Sequence, residues 1–308
     1  MRETNTRYSL SGAVMLTLCA LIWGTAFIAQ SLGARSVGPL TFNFSRAFLA
    51  TVFLAACCLV SDRLSGRPFS LWGPAGPERR RLFKSGLKLG LTLSLAIFFQ
   101  QLGVAYTTVG KSGFITALYI VFVPVLNRLF LRRPIGLLQL AGVALATCGM
   151  YFICIDASLD INKGDIYMLL AALFFAAQII CVESTSQGAD SLRLALAQFA
   201  VCCATSGLFM LIFETPSLDG ILSCWQPVAY AGIMSNGVAY TLQIAGQKQV
   251  NPVLASMLMS LESVFALASG WLFLGQAMSV REICGCLLVF TAIILAQLPS
   301  SSLKLKKS

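Results

Sequence analysis

Ten long apolar runs, separated by stretches rich in Gly, Pro and polar residues, dominate this sequence. Each run has about the 20 residues that an α-helix needs to cross the hydrocarbon core of a membrane. Inside lipid the backbone must satisfy its own hydrogen bonds, and a helix does so within one segment. We therefore predict an all-α polytopic membrane protein with ten transmembrane helices. They lie near residues 10–32, 38–60, 86–106, 110–131, 135–155, 164–184, 193–213, 222–246, 251–274 and 279–299.

The low charge content excludes a soluble domain. Only 11% of the 308 residues are charged and 57% are hydrophobic, whereas soluble domains carry about 25% charged residues. The net charge of +10 lies mainly in the loops and accompanies no nucleic-acid-binding motif. The lipid bilayer is therefore the expected partner, and DNA or RNA is not. We expect no cleaved leader, because the first apolar run is longer than a signal-peptide core and no clear cleavage site follows it.

Lys and Arg residues are divided unequally between the two sets of loops. With a cytoplasmic N-terminus, 17 of the 22 lie on the cytoplasmic side, four lie outside, and Arg46 lies within a span. Positive residues accumulate in the cytoplasmic loops of multi-pass proteins. The bias predicts a protein of the inner (plasma) membrane with both termini in the cytoplasm.

The sequence lacks the usual patterns of catalysis and metal binding. It has no His, and its 11 Cys residues lie inside apolar stretches without Cys-x-x-Cys spacing. Zinc sites and Ser-His or Cys-His catalysis are therefore not expected, and no phosphate-binding loop for ATP occurs. We expect no cofactor, no metal and no enzymatic activity, and the residues indicate no oligomeric state.

Two weak internal similarities divide the chain into halves. The stretch around Trp23 in the first span aligns with the sixth span, and residues 107–126 align with 248–267. These similarities predict two five-helix repeats, residues 1–158 and 159–308. Because five is odd, the second repeat would enter the membrane inverted, as in many secondary transporters whose substrate site lies between the halves.

Four stretches carry a wider resemblance. They are ALIWGTAFIAQ (20–30), FNFSRAFLA (42–50), QQLGVAYTTVGKSGFITALYIVFVPVL (100–126) and ASMLMSLESVFALASGWLFLGQAMS (255–279). With these stretches the chain resembles the EamA-like ten-helix permeases of the drug/metabolite transporter superfamily. The resemblance implies movement of amino acids, other metabolites or drugs, often outward. The chain departs from the family pattern at Ser263, where Pro is usual, at Gln276, where Glu is common, and at Arg132 and Arg133, which occupy the corresponding region of the first half.

Two ionisable side chains lie well inside predicted spans, where a charge costs about 2.5–3.5 kcal/mol on insertion scales. Glu262 in the ninth span is either a site of proton or cation coupling or a structural carboxylate near a helix junction. Arg46 in the second span either binds a substrate carboxylate or ties helices together, and the structural role is favoured. The sequence also leaves open a direct Arg46–Glu262 pair.

Polar and aromatic residues at helical spacing supply further candidates, because positions i, i+4 and i+7 share a helix face. Such stripes either line a wet path or join helices by hydrogen bonds. Side chains near span ends, such as Gln30, Asn127 and Gln247, are expected to cap helices or to lie in interfaces. The candidate substrate-binding residues are Trp23, Gln101, Tyr119, Gln178, Asn236 and Tyr240.

These features predict a secondary transporter that moves a small organic metabolite by alternating access. The expected substrate is an amino acid or a similar neutral or zwitterionic solute, with export favoured and proton coupling through Glu262 as a further hypothesis. A multidrug efflux permease of the same fold is the first alternative. A membrane-embedded enzyme and a channel are weaker alternatives, because neither a catalytic cluster nor a selectivity-filter motif occurs.

Overall fold

The computed structural model describes residues 9–73, 75–106, 109–133, 135–154, 162–274 and 279–297. Within these ranges the chain is helical and contains no β-strand, so the all-α prediction is confirmed. A π-helical segment, Tyr230–Ala239, lies between α10 and α11. The α-helices are α1 Leu10–Gly33, α2 Pro39–Leu64, α3 Pro77–Val104, α4 Val109–Ala117, α5 Tyr119–Phe130, α6 Leu137–Cys154, α7 Lys163–Thr185, α8 Ser191–Phe213, α9 Leu218–Ser223, α10 Trp225–Ala229, α11 Tyr240–Gln247, α12 Pro252–Met259, α13 Glu262–Leu274 and α14 Val280–Gln297.

In the described part of the chain, seven helical runs are long and apolar enough to cross a membrane. The other three predicted spans are also helical: they are α6, the run from α10 to α11, and α14. The architecture is therefore that of a multi-pass membrane protein, and the count of ten spans stays a prediction. The seven runs are Leu10–Gly33, Pro39–Leu64, Pro77–Val104, Ser112–Phe130, Lys163–Thr185, Ser191–Phe213 and Pro252–Ser269.

The third helix begins nine residues earlier than the apolar run indicates. Its first residue is Pro77, preceded by Gly76 and followed by Glu78 in the first turn. Pro fits the first turn of a helix because its missing N–H is not needed there, and an acidic side chain in that turn favours the positive end of the helix dipole. The basic residues that follow therefore extend the helix beyond the apolar stretch.

Two of the predicted spans are each broken into two helices. The fourth span is interrupted at Leu118, between α4 and α5, and the ninth at residues 260–261, between α12 and α13. At the second break, Ser256 Oγ donates to Val253 O at 2.7 Å and Ser260 Oγ donates to Met257 O at 2.8 Å. Such bonds from Ser to the preceding turn compete with the helix ladder and bend helices. The ninth span therefore breaks without the Pro that is usual near this point.

Helices from the two halves of the chain pack against each other throughout the bundle. Helix α3 packs on α7 and α8, and the run from α10 to α11 packs on α1 and α2. Helices α4 and α5 pack on α7, and α12 and α13 pack on α1. Two further pairs, α2 with α8 and α6 with α14, join counterparts of the two halves directly. If α1, α2, α3, α4–α5 and α6 are matched in chain order with α7, α8, α10–α11, α12–α13 and α14, the same pairs of positions are in contact in both halves.

Helices α2 and α8 run antiparallel, and at each end a different carboxylate links them by hydrogen bonds. At the C-terminal end of α2, Asp62 accepts a hydrogen bond from Arg193 in the first turn of α8. At the opposite end, Glu214, directly after α8, accepts from the backbone N–H groups of Leu40 and Thr41 at 3.0 and 2.8 Å. A carboxylate is stabilised by the positive end of a helix dipole, so Glu214 is well placed at the start of α2.

Candidate functional site

A small cavity lies at the centre of the bundle and is lined by both halves of the chain. Its volume is about 30 Å³, which is room for one or two water molecules. A solute with several heavy atoms therefore requires movement of the lining side chains or helices. The lining residues are Trp23, Phe27, Gln30, Arg46, Ile97, Gln100, Thr116, Tyr119, Phe175, Ser235, Asn236, Tyr240 and Glu262.

The two helix breaks bring polar groups to this cavity. Tyr119 is the first residue of α5, and Glu262 is the first residue of α13. Each therefore lies at the N-terminal end of a half-helix, where backbone N–H groups lack partners within the helix. Discontinuous helices of this kind form the substrate sites of many secondary transporters, near the middle of the membrane.

Arg46 projects from α2 into the cavity and is 2% exposed. Its Nε and Nη2 atoms have no hydrogen-bond partner among the described residues. The guanidinium lies over the Phe42 ring, with Cζ 5.7 Å from the ring centroid. Because a buried charge is costly unless it is paired, this cation is suited to an anionic group that enters the cavity.

Glu262 supplies the carboxylate that lines this cavity and is 4% exposed. Its Oε1 atom and the hydroxyl of Tyr119 are both buried without a hydrogen bond of standard geometry in the described chain. Nor does an ion pair join Arg46 to Glu262 there. The direct pair that the sequence left open is therefore not formed, and both side chains remain accessible to groups that enter the cavity.

Aromatic side chains form one wall of the cavity. The rings of Trp23 and Tyr240, which both line the cavity, have centroids 4.8 Å apart. Phe199 is not part of the lining, and its ring centroid lies 5.2 Å from that of Tyr240. Trp23 Nε1 donates to the backbone oxygen of Ser235 at 3.4 Å. Ser235 and Asn236 belong to the π-helical segment, and π-helical turns occur frequently at functional sites.

Seven of the buried polar atoms that lack hydrogen-bond partners in the described chain belong to residues that line the cavity. Native proteins leave few such atoms unsatisfied, and each one calls for an explanation. Here a polar solute or water molecules could satisfy the whole group at once. The cavity atoms concerned are Gln30 Oε1, Arg46 Nε and Nη2, Thr116 Oγ1, Tyr119 OH, Asn236 Nδ2 and Glu262 Oε1.

Two of the predicted substrate-binding residues do not line the cavity. The side chain of Gln178 joins two other amides: its Nε2 donates to Gln198 and Gln243 at 3.3 Å, and Gln243 Nε2 donates back at 3.0 Å. Gln101 is fully buried beside the cavity-lining Gln100. The remaining candidates, Trp23, Tyr119, Asn236 and Tyr240, line the cavity together with Arg46 and Glu262.

Several lining residues carried little signal in the sequence. Gln100 and Gln101 are adjacent amides about 100° apart around α3, and the sequence alone does not indicate which faces inward. Ser235, Ile97 and Phe175 resemble ordinary residues of apolar spans. Gln30 lies in the last turn of α1, at a helix end as expected, and it also lines the cavity.

Comparison with known proteins finds a family whose model matches this chain. The model of the EamA-like transporter family matches residues 10–155 and again residues 162–298. An "uncharacterized transporter" of Archaeoglobus fulgidus is 30% identical over 283 residues, covering 92% of this chain and 84% of the relative. The "uncharacterized transporter YoaV" of Bacillus subtilis is 22% identical, covering 89% and 92%. Protein PecM of Dickeya dadantii is 23% identical, covering 90% and 89%.

A solved crystal structure has a similar fold. It aligns with 96% of this chain and with 100% of its own chain, with a TM-score of 0.77 at 16% sequence identity. At this identity the likeness concerns the fold alone.

Proposed function

Since this chain belongs to the EamA-like transporter family, we propose that it carries a small organic solute through the central cavity by alternating access. The solute bears a carboxylate and, in the simplest case, an ammonium group, as amino acids do. The observation that carries the proposal is the unpaired Arg46 guanidinium in a cavity lined by both halves.

Arg46 is the group that would bind the carboxylate. Arg presents its N–H donors in a planar fork that matches the two oxygens of a carboxylate. Here Nε and Nη2 are both buried without partners in the described chain, and the two lie on the same edge of that fork. A substrate carboxylate would remove the cost of the unpaired cation, so binding energy is available from a charge that the fold itself leaves unused.

Glu262 would serve the opposite end of the solute or carry the coupling proton. A carboxylate at the edge of the same cavity complements an ammonium group, and protonation would remove that attraction. The same residue can therefore exchange a substrate for a proton as the cavity changes its access. Tyr119, with its hydroxyl beside Glu262, would orient the carboxylate.

We also propose that residues 1–158 and 159–308 are inverted repeats that rock against each other. Support comes from the two separate matches of the family model. Further support comes from the packing, which is similar when counterparts are exchanged, and from breaks in both the fourth and the ninth spans. The distribution of Lys and Arg supports ten spans with both termini in the cytoplasm, in the plasma membrane. Export remains the favoured direction because the family resemblance favours it.

Purified protein in liposomes provides the test. Radiolabelled amino acids, loaded one at a time from a panel of proteinogenic amino acids, should exchange across the membrane in counterflow with the wild type. Arg46→Gln should lose at least about tenfold in affinity, since a hydrogen bond to a charged group contributes about 1.5–3 kcal/mol. The matched control is Arg63→Gln, because Arg63 is exposed. This variant should exchange the amino acid with the affinity of the wild type.

Two outcomes would overturn the proposal. If Arg46→Gln exchanges a transported amino acid with unchanged affinity, the guanidinium does not bind the carboxylate. If only lipophilic cations such as tetraphenylphosphonium are transported, the chain is a multidrug permease and the zwitterion proposal is wrong.

A further inference from the structure

A second cleft, separate from the central cavity, opens between the start of α3 and the end of α7. Its volume is about 510 Å³. Four of its lining side chains are basic, and in the described residues no carboxylate lines it. It lies at the end of the bundle that the distribution of Lys and Arg assigns to the cytoplasm. The lining residues are Gly76, Pro77, Arg80, Arg81, Lys84, Ser85, Lys88 and Thr185.

The basic side chains of this cleft have little to neutralise them. Arg81 donates to the backbone oxygen of Gln187 at 3.0 Å. The side chains of Arg80, Lys84 and Lys88 form no ion pair with any described residue. Among the described residues, therefore, no anion neutralises at least three positive charges of the cleft.

A serine side chain also lines this cleft. Ser85 is 6% exposed and lines the cleft, yet its hydroxyl makes no hydrogen bond within the described chain. Thr185, on the opposite wall, already donates to the backbone oxygen of Cys181 at 2.7 Å. Ser85 is therefore a donor available to an oxyanion that the neighbouring cations attract.

The same face of α3 continues as an apolar strip into the membrane. Positions 81, 84, 88, 91 and 95 follow one another at intervals of three and four residues and so share a helix face. The last two are Leu91 and Leu95, which are 45% and 39% exposed. Basic side chains at the membrane edge can bind the anionic headgroup of a lipid, and the exposed leucines that follow can pack against its acyl chain.

We propose that this cleft binds an anionic phospholipid, with its phosphate among Lys84, Lys88 and Ser85 and one acyl chain along Leu91 and Leu95. Free phosphate shares the headgroup chemistry but not the acyl chain. The apolar strip favours the lipid over free phosphate. The site is independent of the transport proposal, because none of its residues lines the central cavity.

Native mass spectrometry of the purified protein tests the site by counting retained lipids. The protein is titrated with phosphatidylglycerol and, separately, with phosphatidylcholine. We expect at least a tenfold preference for phosphatidylglycerol. Each cation near an anionic lipid surface contributes about fivefold to the affinity, so K84Q/K88Q should weaken phosphatidylglycerol binding by about 30-fold.

The double variant R63Q/R128Q is the matched control, because it removes the same charge from exposed positions outside the cleft. It should bind phosphatidylglycerol as the wild type does, and K84R/K88R should restore binding. Equal weakening in both Gln double variants, or equal retention of phosphatidylcholine, would refute the site. Displacement of the lipid by millimolar inorganic phosphate, or equally tight binding of glycerol phosphate, would show that the acyl chain contributes nothing and would overturn the lipid assignment.

Discussion

Replacing Arg46 by Met should make the substrate-free protein more stable while it abolishes transport. The Arg46 cation is buried without an anionic partner in the described chain, and an unpaired buried charge costs several kcal/mol. Its contact with the Phe42 ring at 5.7 Å returns about 0.5–2 kcal/mol. The net gain on removing the charge should be about 2 kcal/mol, which raises Tm by about 3 °C for a chain of this size.

The matched control is Arg193→Met, which removes the same functional group from a paired site. Arg193 donates to Asp62, whose side chain is 2% exposed. Removing one partner of this ion pair leaves the Asp62 carboxylate without its guanidinium and destabilises the fold. Arg193→Met should therefore lower Tm, so the same Arg→Met change should act in opposite directions at the two sites.

Scanning fluorimetry of both variants in the same detergent, with counterflow in liposomes, measures the two effects together. The expected result for Arg46→Met is a higher Tm and no exchange of the amino acid that the wild type carries. A Tm lowered as far as in Arg193→Met would mean that Arg46 is a structural tie between helices. The reasoning on the unpaired cation would then fail.

Three further substitutions separate roles in the same bundle. Glu262→Gln should flatten the dependence of the transport rate on pH if the carboxylate carries the coupling proton, and a profile parallel to that of the wild type would exclude this role. Gln178→Leu should lower Tm, because each interhelical hydrogen bond contributes about 0.6 kcal/mol, while substrate affinity stays within about twofold; a tenfold loss of affinity would place Gln178 in the substrate site. Gly24→Val should abolish exchange, because a Cβ at this position would lie 2.7 Å from the backbone oxygen of Glu262, and wild-type exchange rates would contradict that close approach.

The helices themselves were predictable because the free energy of burying an apolar run in lipid depends mainly on its composition and length. The same reasoning singled out Arg46 and Glu262, since isolated charges inside spans face protein or water. Both line the central cavity.

Finer features depended on contacts that a single apolar run does not encode. The break at residues 260–261 follows from Ser side chains that bond to the preceding turn, and Ser residues within a span can equally leave the helix intact. Gln178 and Asn236 are both amides in apolar spans, yet one bonds to Gln198 and Gln243 while the other lines the cavity. That difference is set by neighbouring helices, so only the assembled bundle reveals it.

The antiparallel pair of α2 and α8, joined at both ends, has a geometric consequence for how the halves can move. Helix α2 has 26 residues and is therefore about 39 Å long. If one end acts as a hinge, a tilt of about 10° moves the far end by about 7 Å, well beyond the reach of a hydrogen bond. A small angular change would thus release either Asp62 from Arg193 or Glu214 from the start of α2, while the joint at the other end stays intact.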